Sequence, residues 1–140
     1  MTLIKSISGI RGTIGGKPGE NLTPIDIVKS VSAYGYWLKE KFKNESLKVV
    51  IGRDARLSGE MVENLCIGTL QSLGINIINL GLSTTPTVEF AVTKEKAQGG
   101  IILTASHNPK QWNALKLLND KGEFISKKDG EKLLEIIRNN

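Results

Sequence analysis

Short β-branched runs alternate with longer amphipathic stretches along most of this chain, and that alternation leaves few architectures open. Lys48–Ile51 is β-branched and ends at Gly52, Ile75–Leu80 alternates around Asn76 and Asn79, Gly100–Leu103 is continuously apolar, and Asn113–Leu118 reads as a further strand. Thr23-Pro24 forms an N-cap with proline at the first helical position, followed by Ile25, Val28, Val31, Leu38 and Phe42 at helical spacing. Ser58 is placed to cap a second helix facing inward through Val62, Leu65, Cys66, Leu70 and Leu73, with Gly74 as its stop. Thr85-Pro86 opens a third, with Val88, Phe90, Ala91 and Val92. Ser126-Lys-Lys-Asp129 resembles a capping box before a last helix through Leu133, Leu134, Ile136 and Ile137. The expected order is β, α, β, α, β, α, β, β, α. Right-handed crossovers then give an α/β chain, a three-layer α/β/α sandwich on a mixed, mostly parallel sheet. The turn at Asp120-Lys121-Gly122 predicts at least one antiparallel member.

Composition narrows the class. The 140 residues are 39% hydrophobic and 24% charged, suited to one domain spanning 1–140. A single Cys, Cys66, forms no internal disulfide, and one His with one Cys excludes a zinc site built from those residues alone. No apolar run approaches the roughly 18 residues of a membrane span, and the N-terminus lacks the pattern of a signal peptide. A cytoplasmic location without membrane partners is the expectation.

The formal net charge is +5. All of the excess lies in residues 1–58, with 10 Lys and Arg against 5 Asp and Glu; residues 59–140 hold 9 of each. The cations are scattered rather than striped, and aromatics make up 5% of the residues, so the stacking and basic patches of nucleic-acid modules are lacking. The expectation is a positive domain that attracts small anions, with no nucleic-acid partner.

In sheets of this kind ligands bind beyond the carboxyl ends of the strands. The segments to inspect are Ser8–Gly12, Gly52–Ser58, Gly81–Thr85 and Thr104–Pro109. Arg11–Lys17 approaches a P-loop but lacks its first glycine and has Pro18 where Ser or Thr is required. In Ser8-Gly9-Ile10-Arg11-Gly12, a glycine-flanked Arg can lie over an anion; a plain turn with a surface arginine reads equally well. Thr104-Ala105-Ser106-His107-Asn108-Pro109 follows the most apolar strand and carries a hydroxyl nucleophile and the only His. Adjacent residues of an extended segment face opposite ways, so His107 is badly placed as the base for Ser106, and a serine-hydrolase reading fails. An ST-turn closed by Pro109 is the plainer reading of the pattern. Lys116, inside an apolar run, is either an outward strand residue or, if aimed at the strand-end cleft, a proton-transfer group. Asp54 beside Arg56 reads as a loop-fixing ion pair, not a metal ligand.

TASHNPKQWNALK (104–116) resembles the active-site serine loop of the α-D-phosphohexomutases, and SGIRG and GRDARLSG resemble two further motifs of that family in the expected order. The resemblance spans about Ile7 to Leu118 and implies the family's first domain, an α/β/α sandwich on a mixed sheet. It implies that Ser106 is the phosphoserine that donates to a hexose phosphate, passes through a bisphosphorylated sugar, and recovers a phosphoryl group, interconverting hexose 1- and 6-phosphates. It assigns Arg11 to the transferred phosphate, Lys116 to general acid–base work, and His107 to proton handling or substrate orientation. Asn108 and Pro109 would shape the loop. Mg²⁺ would contact Ser106 through its phosphoryl oxygen, with carboxylate ligands elsewhere, and a glucose 1,6-bisphosphate-type activator is implied. Many relatives have Asn-Gly where this chain has Asn113-Ala114. The family's Asp-Gly-Asp metal loop, sugar-discriminating loop and C-terminal phosphate loop do not occur here. The expectation is therefore a fragment of a longer four-domain enzyme, whose partners are the hexose phosphate and the missing domains, and which is inactive alone. A stand-alone anion-binding module without catalysis is the alternative.

Overall fold

The computed structural model describes residues 1–7 and 9–139. Its elements are β1 (Ile4–Ser6), β2 (Gly9–Thr13), α1 (Pro24–Lys41), β3 (Lys48–Arg53), α2 (Gly59–Ser72), β4 (Asn76–Leu82), α3 (Thr85–Lys94), β5 (Gly99–Leu103), β6 (Trp112–Leu118) and α4 (Lys127–Arg138). The six strands form one sheet in the order β1-β2-β6-β5-β3-β4. The α/β/α fold class stands, but the sheet is not mostly parallel. Only β3–β4 and β3–β5 are parallel, while β1–β2, β2–β6 and β5–β6 are antiparallel. The reason is connection length: parallel neighbours need a crossover helix. The β1–β2 and β5–β6 links are too short to hold one, and the β1–β2 hairpin supplies a strand beyond the expected order.

Strand β3 leads through α2 to β4, and β4 leads back past β3 through α3 to β5. Reversing direction while keeping the same crossover hand forces α2 and α3 onto opposite faces. The two cores record this. Helices α1, α2 and α4 cover one face with Ile27, Val31, Tyr34, Leu38, Val62, Cys66, Leu70, Leu133 and Ile137 against Ile51, Ile101, Leu103 and Leu115. Helix α3 alone covers the other, with Val88, Ala91 and Val92 on Val50, Ile102 and Leu118.

The caps follow the sequence with one exception. Thr23 accepts from the Asp26 amide and Asp26 returns a bond to the Thr23 backbone, a complete capping box. Thr84 and Ser126 likewise accept from N-terminal amides of α3 and α4. Ser58 makes no such bond at α2; its Oγ accepts from Asn113 Nδ2 at 2.9 Å instead. Three apolar positions also differ from expectation. Ile25, Val28 and Phe90 are 62%, 38% and 65% exposed, because the buried stripe of α1 runs through Ile27, Val31, Tyr34 and Leu38, and that of α3 through Val88, Ala91 and Val92.

Tyr34 ties the layers together. Its hydroxyl donates to Leu118 O at 2.6 Å and accepts from Gly100 N at 3.0 Å. A Cβ at Gly99 would stand 2.1 Å from that hydroxyl, so the close approach of helix to strand requires glycine there.

Candidate active site

The neighbouring parallel strands β3 and β5 end side by side, and the chain leaves them in different directions. Segment 54–58 turns toward α2, and segment 104–111 turns toward β6. The two ends are joined by Asp54 N donating to Leu103 O at 3.0 Å. This is a strand-end crevice of the kind that receives ligands in α/β sheets.

Thr104, Ala105 and Ser106 form the ST-turn read from the sequence, with Ser106 N donating to Thr104 Oγ1 at 3.2 Å. Asn108 N then closes on Ala105 O at 3.0 Å and Trp112 N on Pro109 O at 2.9 Å. Ser106 has φ of 50°, the left-handed region, which costs an L residue about 1–2 kcal/mol. The segment is thus a tight loop and not an extended run, and it lifts an exposed hydroxyl above the strand end. His107 is exposed beside it and makes no hydrogen bond or ion pair with the described residues.

Lys116 comes from β6, which runs antiparallel to β5. Its register partner is Ile102, so its side chain lies on the face that carries α3, and it rises to donate from Nζ to Ser106 Oγ at 2.9 Å. Lys116 therefore points over the serine loop and not away from it.

Arg11 reaches the same face from β2. It pairs with Ala114, two residues before Lys116, which makes the two residues diagonal neighbours across the ladder, their backbones about 7–8 Å apart by strand geometry. Arg11 is exposed, and its side chain has no ion pair or hydrogen bond with another described residue. The approach of β2 depends on Gly9: a Cβ there would fall 2.1 Å from Leu115 O and 3.1 Å from Lys116 Cα, and φ is +142°. Ser8, the first residue of that motif, lies outside the described residues.

The sequence marks Arg56 only as the partner of Asp54, and that pair exists, with Nε 3.2 Å from Oδ2. Its larger engagement is not visible there. One terminal nitrogen donates to Pro109 O at 2.7 Å and Trp112 O at 3.0 Å. The other donates to Ser106 O at 3.0 Å and Asn108 O at 2.9 Å. With the Asp54 bond, all five donors of the guanidinium are used, on a side chain that is 11% exposed. The only signal for this in the sequence is an arginine following a strand end; its carbonyl partners are some fifty residues away.

The donor set does not fit a resident metal. No group of three or more His, Cys, Asp or Glu among the described residues is arranged to hold an ion, and Asp54 is committed to Arg56. One serine oxygen is not a magnesium site. No described helix is long and apolar enough to cross a membrane.

A loop-borne serine under a lysine, at the crevice of a mixed α/β/α sheet, defines the class to compare with. The family description "Phosphoglucomutase/phosphomannomutase, alpha/beta/alpha domain I" matches residues 3–140, and the chain belongs to that family. It is 40% identical over 126 residues to a phosphoglucomutase/phosphomannomutase of Thermococcus kodakarensis, covering 89% of this chain and 27% of the relative. It is 38% identical over 130 residues to a phosphoglucosamine mutase of Helicobacter pylori strain Shi470, covering 91% and 28%. A crystal structure of a Thermus thermophilus protein assigned as a phosphomannomutase superposes with a TM-score of 0.84 at 28% identity, over 98% of this chain and 30% of that one. The chain thus spans under a third of the length of these relatives.

Proposed function

We propose that this chain is the phosphoryl-carrying domain of a hexose-phosphate mutase, in which Ser106 alternates between hydroxyl and phosphoserine while the remaining length of such an enzyme holds the sugar. One observation carries the reading: Lys116 Nζ stands 2.9 Å from Ser106 Oγ, within reach for proton transfer to that oxygen.

The chemistry is phosphoryl transfer in both directions. Going out, the Oγ–P bond of phosphoserine breaks and a bond forms from phosphorus to a hydroxyl oxygen of the hexose monophosphate. Oγ takes a proton from the Lys116 ammonium as it leaves, and the sugar hydroxyl gives its own proton to His107. Coming back, the sugar O–P bond breaks, the amine of Lys116 accepts the Ser106 proton, and His107 returns a proton to the departing sugar oxygen. The second transfer uses the other phosphate of the bisphosphorylated sugar, so the sugar leaves as the isomer. Arg11, diagonal to Lys116 and without an acidic partner among the described residues, is the cation available to the transferred phosphoryl oxygens. Such reactions depend on in-line positioning and charge neutralisation more than on covalent chemistry from the protein; one cation bonded to the hydroxyl and a second on the diagonal ladder position answer that need. The sugar's identity is not encoded in these residues.

The test is Ser106→Ala in a mutase that carries this domain together with the remaining length of its relatives. Mutase turnover should fall to background, while binding of the hexose phosphate persists. Wild-type turnover by that variant would refute the role.

A further inference from the structure

We infer that Arg56 is the positioning residue of the serine loop: it fixes the left-handed backbone of Ser106, and so the approach of Ser106 Oγ to Lys116, without touching the hydroxyl or the substrate. The inference rests on the function proposed above for its catalytic consequence, but not for its structural one.

Three observations carry it. First, the guanidinium donates to the carbonyls of Ser106, Asn108, Pro109 and Trp112, which span the loop from its nucleophile to the first residue of β6. Four carbonyl dipoles converging on one cation fix a loop shape that three local turn bonds alone leave free to relax. Second, the cation is held from behind. Asp54 takes Arg56 Nε at 3.2 Å and the Arg56 backbone amide at 3.1 Å, so the fork is rigidly anchored to the end of β3. Third, Ser106 is one of three non-glycine residues with positive φ among those described. Such a conformation persists where its surroundings over-determine it, and the carbonyl that follows the Ser106 φ rotation is one of the four that Arg56 holds. A planar fork with five donors is needed for this arrangement; a lysine, with a single point of charge, cannot reproduce it.

Asp54 and Arg56 thus take on a joint purpose that the ion-pair reading did not include. The motif after β3 acts on the nucleophile of the loop after β5 through backbone only, which is why it carries no signature of catalysis itself.

The experiment has two arms. On the 140-residue chain, the Ser106 backbone is read by NMR in wild type, Arg56→Ala and Arg56→Lys. Positive φ gives a strong Overhauser effect between the residue's own amide and Hα. Both variants should lose that signal at Ser106 while the amides of α1 and α4 keep their shifts, and millimolar guanidinium ion should restore it in Arg56→Ala but not in Arg56→Lys. In the second arm, a mutase carrying the domain is given a hexose 1,6-bisphosphate and phosphoryl transfer to Ser106 is followed in a single turnover. The lysine variant should transfer about 10²-fold more slowly, the usual consequence of an ångström-scale misplacement, with the KM for hexose monophosphate unchanged. Retention of the Ser106 signal in the folded Arg56→Lys variant, or transfer within about threefold of wild type, overturns the inference. Absence of transfer in the wild type would refute the proposed function, and the NMR arm would still decide the role of Arg56.

Discussion

Lys116 donates to Ser106 Oγ at 2.9 Å from a strand antiparallel to the one that delivers the serine. The contact is set by register, Ile102 opposite Lys116, and by the tightness of the loop between β5 and β6. A slip of one residue along β6 would send the lysine through the sheet to the α1 face, exchanging it with Leu115 or Leu117, both buried there. The apolar neighbours of Lys116 therefore hold the proposed catalytic geometry as well as the core.

Lys116→Met keeps the aliphatic stem and removes the proton donor. In a mutase carrying this domain, turnover should fall by about 10²–10⁴-fold, the range for lost general acid–base catalysis. Steady-state kinetics checks this, and a loss under twofold would make the lysine structural.

The approach of β2 to β6 requires glycine at position 9. Gly9→Ala combines backbone overlap with Leu115 O and a φ of +142°, so destabilisation of about 2–5 kcal/mol is expected from overpacking and strain together. Gly68 gives the opposite sign: it lies in α2, and a Cβ added there would meet nothing within 4 Å. Gly68→Ala should stabilise by about 0.5–1 kcal/mol. Denaturant unfolding of both variants measures the two effects, and equal signs would contradict the packing described.

Burial pushes the ionisation of two groups to higher pH. For Tyr34 desolvation outweighs the opposing Gly100 backbone bond, and for Cys66 desolvation is joined by the Glu63 carboxylate. The folded chain keeps protons that the unfolded chain releases above about pH 8.5 for Cys and pH 10 for Tyr. Their contributions are complete below those values and are lost as pH rises past them, by at most about 1.4 kcal/mol per pH unit for each group. Tyr34→Phe should cost about 1–3 kcal/mol at neutral pH, because Gly100 N and Leu118 O lose a buried partner, and should flatten the decline above about pH 10. Thermal unfolding across that range is the check; an unchanged alkaline slope would exclude Tyr34 as its source.

Local chemistry is legible in the sequence and non-local chemistry is not. Thr23-Pro24 announces its helix because the cap and the proline at the first helical position are adjacent residues. Thr104-Ala105-Ser106 announces its turn for the same reason. Ile25 misleads because α1 has apolar residues on more than one face, and only contact with the sheet decides which is buried. Ser58 misleads because Asn113, distant in sequence, outcompetes the helix for its hydroxyl. Arg56 is the largest omission: its ion pair with Asp54 is two residues long, but its four carbonyl partners arise only once β3 and β5 are neighbours. The sheet is less parallel than the alternating pattern implies because Gly9–Thr13, read in sequence as part of a segment beyond a strand end, is itself a strand, paired antiparallel with both β1 and β6.

The 140-residue chain by itself should not sustain turnover. Among its described residues no carboxylate cluster can hold a metal, and orientation of both reactants accounts for roughly 7–11 kcal/mol of barrier reduction in well-positioned systems. A coupled assay with glucose 1-phosphate, catalytic glucose 1,6-bisphosphate and Mg²⁺ should register no continuing formation of glucose 6-phosphate. Sustained conversion would contradict the proposed division of work.

The most direct test is where the phosphoryl group goes. A mutase carrying this domain is incubated with glucose 1,6-bisphosphate, quenched, digested and mapped by mass spectrometry for a single added phosphoryl group. The proposed mechanism predicts that group on Ser106, removed again on addition of excess hexose monophosphate and absent from the Ser106→Ala variant. A stable phosphoryl group on another residue, or none on Ser106 in an enzyme that is turning over, would contradict it.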